Sequence, residues 1–565
     1  MADPVRLKEG GVGRRDTLYP VCILLLCATQ LHWLSSHDRL FDIGAVFFRV
    51  SGAVVVGLGL AIALEKTVLR VSSTAREIVK SRIIRENVIG FVVIVTVSSA
   101  VYSSQAFTTV AILLGYLLRT IRPLEDCGIP GSTGSLTTRF DRGVSWLIFF
   151  GAILAVYLRA PELFHSPRFW AEDGKFFFSH FYNHREWYEL LRAWEYYRFL
   201  HNITAYSTVR LLPLEHAPLA FTVVSGLVAL APAAVIVFGH SLYWNTPFKK
   251  VLLVALYLLV PFSQETWLNL NGTAYTLTLV SALILLSETT RKNEVSYRLL
   301  LLFAGLTGVL SCLLFPLFGI RAWVTREREH IVQFLLLLSC AVLQLTVVLY
   351  TDFIHRDGTH LRITPPSLET MILVAWLRTL VTVISVDWAV IFSGLFSSAI
   401  ARPSQYSTYA VIYGATLLGV LWCLVKYARE FNLLLLAGCF LLLTGFSIFF
   451  GIGGAGNLAF LHPTNGMRYF YIPVVMLGFL LVSPLLRPRN NSSKTWMRWF
   501  SVGVATLMIH NGIQGYQYIN VYEPDWPQWR EEVEKWRNDQ AYRPKIWPRR
   551  WEIVLKTPNN PSVGP

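Results

Sequence analysis

Residues 161–181 read PELFHSPRFWAEDGKFFFSHF. They follow an apolar run, Gly143 to Leu158, which at about 1.5 Å per residue crosses most of a bilayer's hydrocarbon core. Glu172 and Asp173 therefore fall where lipid meets water. Taken alone, Glu-Asp-Gly also suits an acidic turn in which Gly174 supplies backbone freedom. An enzyme acting on a lipid-linked substrate would keep its base at the same boundary, so the reading depends on the rest of the chain.

Working outward, the chain of 565 residues is 54% hydrophobic and only 15% charged, with a mean hydropathy of +0.47. That is too apolar for a soluble protein of this length, and the class expected is an all-α polytopic integral membrane protein. A net charge of +15 would suit a nucleic-acid binder. Here, however, Lys and Arg cluster in short segments between apolar runs, the pattern of cytoplasmic loops. The charge is read as topology, with membrane lipids as a secondary partner and no nucleic acid. Six of the seven cysteines lie in apolar segments and Cys127 in a basic one, so neither an external disulfide nor a CxxC metal site is expected.

Residues 1–142 read as an N-terminal membrane module of about four spans plus a cytoplasmic linker, GIPGSTGS, its first run from Leu18 being a retained anchor. Residues 143–515 read as a core of about eleven spans, several of them short, with a long first external loop over 159–215. Aromatics interleaved with basic residues in that loop suit helices lying in the interface. Phe199 to Leu212 is the amphipathic candidate and presents Arg210. Leu299 to Ile320 is expected to form a hairpin around Gly308 to Leu313, and Met371 to Ile400, which contains Arg378 and Asp387, to be partly interfacial or re-entrant. Residues 516–565 read as an external tail with a helix near Trp526 to Asp539.

On this topology three elements share the outer face: the Glu172-Asp173-Gly174 loop, the short loop SQETWLNLNG around Asn271, and GAGNLAFLHPTNGMRYFYIP over Gly454 to Pro473. The last brings Arg468 to the mouth of a span. An arginine so close to hydrocarbon either snorkels to headgroups or pairs with an anion, and its donors suit a phosphate.

With FWAEDGKFFF after the first core span and Gly-Met-Arg-Tyr-Phe before a late one, residues 143 to 555 resemble the GT-C-type membrane glycosyltransferases. They are most similar to a bacterial group with an Ala-Glu-Asp-Gly loop, an arginine in the following helix, here Arg210, and an Arg-Tyr-Phe motif. The resemblance implies transfer of a sugar from a polyprenyl-phosphate donor to an envelope glycan or lipid acceptor, at the periplasmic face of a bacterial inner membrane. It implies a carboxylate base, Asp173 first and Glu172 second, with Arg468 and Arg210 on the donor phosphate. Trp170, Lys175, Asn271 and Tyr469 would line the substrate. No cofactor is implied.

His165, His180 and His184 flank the motif without a metal-ligand spacing, so no metal is expected. The rival readings are a flippase or transporter of lipid-linked sugar, marked by short and broken helices, and an O-antigen-type polymerase or ligase, which would carry its long loop late in the chain.

Overall fold

The computed structural model describes residues 136–355, 367–427, 430–451, 454–487, 495–516 and 528–556, all within the unit Ile129–Pro565. The four N-terminal spans, the linker GIPGSTGS and Cys127 lie outside the described residues.

The described chain is almost wholly helical. Its first helix, α1 (Leu136–Arg159), starts ahead of residue 143. Among the described residues five helices are long and apolar enough to cross a membrane: Arg142–Arg159, Leu214–Phe238, Arg328–Thr351, Phe431–Phe449 and Met467–Leu486. These are the features of an all-α membrane protein. Glu294–Thr307 and Val309–Thr325 would make a sixth span, but they are bent by 119° at Gly308, within the stretch expected to turn. Some other apolar helices are short. Pro247–Leu258, for instance, has 12 residues and extends about 18 Å.

The loop expected over 159–215 is largely helical. It contains short helices at Glu162–His165 and Ser179–Asn183, a π-helical turn at Asp173–Phe178, a 3-10 turn at Trp187–Leu191, and α2 (Phe199–Leu211). The buried side of α2 is mixed, with Leu200 and Ala205 beside His201, Asn202, Thr204 and Thr208. Several aromatics assigned to the interface are core residues instead. Phe169, Phe177, Phe178 and Phe181 are each at most 2% exposed and pack in one cluster with Trp529, Val533 and Ile546 of the C-terminal segment.

That segment is a cap on the first loop. Its helix, α3 (Trp529–Asn538), follows the sequence expectation and is tied down by Trp529 Nε1 donating to Leu214 O at 2.8 Å and by the Arg537–Glu215 pair at 2.6 Å. Two short antiparallel strands follow, β1 (Lys545–Ile546) and β2 (Trp551–Glu552). Trp547 bridges to the first loop, its N–H donating to Phe169 O at 3.1 Å and its carbonyl accepting from Ala171 N–H at 2.6 Å.

Two helices sit at the centre, α4 (Leu270–Leu286), every residue of which is buried, and α5 (Met467–Leu486), most of which is buried. A helix apolar on all sides belongs in a protein core or in lipid, and these two are enclosed by their neighbours. Both begin beside Glu172.

Candidate active site

The site is assembled where the π-helical turn meets the first turns of α4 and α5. Asn269 caps α4, its side-chain oxygen accepting from Gly272 N–H at 2.8 Å, so the helix starts at Leu270 and Asn271 lies in a helical first turn rather than in a loop. Gly466 starts α5 with φ 56°, a left-handed conformation that costs residues with a Cβ about 1–2 kcal/mol. Arg378, 2% exposed, secures the approach to that turn by donating to the carbonyls of His462 and Asn465 at 2.8 Å each. Its π-helical segment, Trp376–Val381, is packed inside the protein.

The two adjacent carboxylates have different surroundings. Asp173 is 1% exposed; Oδ2 accepts the Leu270 N–H at 2.8 Å, and Oδ1 has no hydrogen-bond partner. Burial pushes its carboxyl up to about 8, and the Glu172 charge adds to this, while the Leu270 N–H and Arg198 oppose it. Near neutral pH it is mostly protonated, and it functions as a buried cap on α4. Glu172 is the accessible member, its side chain 27% exposed. Oε2 accepts from Asn271 Nδ2 at 3.0 Å and Oε1 lies 3.7 Å from Arg468 Nη2.

Around this pair Arg198 donates to Asn271 Oδ1 at 2.8 Å and lies 4.3 Å over the Tyr196 ring. Arg468 lies 5.4 Å over Tyr469, whose ring meets Tyr275 edge-on at 5.9 Å. His201 is buried against Phe177 at 4.5 Å, and burial, helped by the Arg198 charge, lowers its pKa well below the usual imidazole value. The result is a carboxylate facing a guanidinium, a second guanidinium one residue away, and two helix N-termini whose dipoles favour an anion.

Glu172, Asp173, Asn271, Arg468 and Tyr469 are thus gathered in one place. Three other residues named from the sequence are not in this group. Arg210 is exposed, donates to Arg185 O at 2.7 Å and stacks on Tyr206 at 4.8 Å; it is Arg198 that reaches the group, through Asn271. Lys175 is exposed, with Nζ 5.3 Å from the Trp551 ring centroid. Trp170 packs edge-on against Trp547 at 4.6 Å. Gly174 is required by close packing rather than by a turn, since a Cβ there would lie 2.8 Å from both Phe169 Cβ and Ile546 Cδ1.

Arg198, Arg378 and His201 were not anticipated. One signal was available for Arg198: it occupies the N-cap of α2, where a cation opposes the helix dipole and needs another partner. Among the described residues no group of three or more His, Cys, Asp or Glu is arranged to hold a metal ion; His180 instead bonds Glu189 at 2.8 Å.

Comparison with protein-family models, with curated proteins and with solved structures gave no match.

Proposed function

We propose that this chain is a membrane glycosyltransferase that moves a sugar from a polyprenyl-phosphate donor to a glycan or lipid acceptor, at the periplasmic face of a bacterial inner membrane. The observation that carries the reading is the approach of Glu172 Oε1 to Arg468 Nη2 at 3.7 Å, which joins a base and a phosphate-binding group from remote parts of the sequence beside two helix N-termini.

In the proposed step Glu172 accepts the proton of an acceptor hydroxyl. The hydroxyl oxygen forms the new bond to the anomeric carbon, and the bond from that carbon to the lipid phosphate breaks with its electron pair going to the phosphate. A single displacement inverts the anomeric centre. The charge growing on the departing phosphate is met by Arg468, with Arg198 behind it, as a pre-arranged electrostatic clamp. Without donor, Arg468 is engaged by Glu172. An arriving phosphate competes for that guanidinium and releases the carboxylate to serve as base. Asp173, buried and bonded to the start of α4, supports Asn271 and the helix end rather than touching substrate.

The test uses the full chain reconstituted in vesicles with a polyprenyl-phosphate sugar and an envelope glycan acceptor. Glu172→Gln keeps the hydrogen bond to Asn271 but removes the base, and transfer should fall about 10²–10⁴-fold. Arg468→Ala should raise the donor concentration needed while leaving the acceptor requirement little changed. Full transfer by Glu172→Gln would remove this residue as the base, and movement of the intact lipid-linked sugar across the vesicle without bond change would replace the reading by transport.

A further inference from the structure

A cavity borders the same π-helical turn beside Lys175 and Phe176. Of about 470 Å³, it is lined by Lys175, His180, Arg192 and Trp194 from the first loop and by Arg543 and Lys556 from the C-terminal segment, all outside the candidate spans. The volume is within the range of small-ligand sites, about 300–1,000 Å³. Its two walls are locked together by Asn183, which donates to Val554 O at 3.0 Å and accepts from Lys556 N–H at 2.7 Å.

Four cationic side chains face this space, and two carboxylates answer them. Glu189 bonds His180 at 2.8 Å and lies 3.6 Å from Arg192, and Glu552 pairs with Arg543 at 2.9 Å. Lys175 has the rings of Phe176 and Trp551 beside it, and among the described residues neither Lys175 nor Lys556 has a carboxylate within ion-pair distance. The cavity therefore holds positive charge in excess. Aromatic walls accompany it: Trp194 stands 6.1 Å from Phe176, which meets Trp551 edge-on at 6.3 Å. Aromatic faces beside cations match a ring with an apolar C–H face and an anionic substituent. A lipid headgroup would use the charge but not the rings.

We infer that this cavity binds an acidic saccharide, a sugar chain bearing carboxylate or phosphate groups, with its anionic groups on Lys175, Arg192, Arg543 and Lys556 and a ring against Trp194 or Phe176. Its role as the acceptor's docking site rests on the transferase reading, whereas the binding itself does not. Lys175 lies in the π-helical turn whose N-cap is Glu172, so a chain held there lies against the element that carries the proposed base.

Calorimetric titration of the detergent-solubilised full chain tests this, with an oligogalacturonate as probe, a neutral maltooligosaccharide of equal length as control, and glycerol 1-phosphate as a headgroup probe. The oligogalacturonate should bind, weaken as salt rises, and lose at least tenfold in affinity in Lys556→Glu combined with Arg543→Ala. Lys175→Glu, at an exposed position, should give a similar loss without a change in the unfolding temperature. Equal binding of the neutral chain, unchanged affinity in these variants, no binding of the acidic probe, or variant-sensitive binding of glycerol 1-phosphate alone would each overturn the proposal. Binding without transfer would count against the transferase reading and leave this site standing, and transfer without acidic-chain binding would do the reverse.

Discussion

At the residue scale, Glu172 and Asp173 are neighbours with different partners. Adjacent residues in a helical turn point in different directions, so one side chain enters the end of α4 and the other meets Arg468. Asp173 has a consequence for stability. In the folded chain its carboxyl keeps a proton until about pH 8, whereas the exposed group releases it near 3.8. Between these values the folded state binds more protons than the unfolded one, so this residue makes stability fall as pH rises from about 4 to 8, by at most about 1.4 kcal/mol per pH unit. Above pH 8 the loss is complete. Asp173→Asn should therefore flatten the decline in unfolding temperature between pH 5 and 8 relative to the parent chain. An identical decline in both proteins would mean that the carboxyl ionises normally. This variant should transfer sugar far better than Glu172→Gln, which separates support from catalysis.

At the element scale, the site depends on where two helices begin. Asn269→Ala removes the cap of α4 and should cost about 1 kcal/mol, read as a lower unfolding temperature together with weaker transfer. Gly466→Ala introduces a Cβ at a left-handed position and should cost about 1–2 kcal/mol. Because the next turn carries Arg468, its effect on donor requirement should exceed its effect on the acceptor; equal effects would mean that the start of α5 does not set the arginine. Sequence periodicity identifies α4 and α5 as apolar segments, but it does not reveal their starts. Asn269 and Gly466 are ordinary loop residues until a hydrogen bond to Gly272 N–H and a φ of 56° make them helix boundaries. The same limit applies to Gly308, where the turn was legible but the 119° angle was not.

At the scale of the whole molecule, the C-terminal segment is part of the first loop's core. Trp529 is 2% exposed and meets Phe169 edge-on at 5.1 Å. Trp529→Ala should cost about 3–5 kcal/mol and reduce transfer, although Trp529 touches neither Glu172 nor Arg468. Retained stability and transfer would make the cap a passive tail. The sequence reading anticipated an external tail with a helix but assigned many of the loop's aromatics to the membrane interface. A Phe-rich, basic stretch has the same composition whether its rings meet lipid or other rings, and the partner that decides between them lies near the other end of the chain.

Hydropathy and charge spacing on their own established a helical chain with membrane-crossing segments, because those properties are local and additive along the sequence. They also singled out the acidic pair and the late arginine as residues whose positions needed explanation. Only the tertiary structure decided that Glu172 rather than Asp173 meets Arg468, that Arg198 joins them through Asn271 while Arg210 lies elsewhere, and that Phe169, Phe177, Phe178 and Phe181 are buried while Phe176 and Trp187 stay exposed. Each of those outcomes depends on the direction of a side chain and on contacts between distant segments, which residue order alone does not specify.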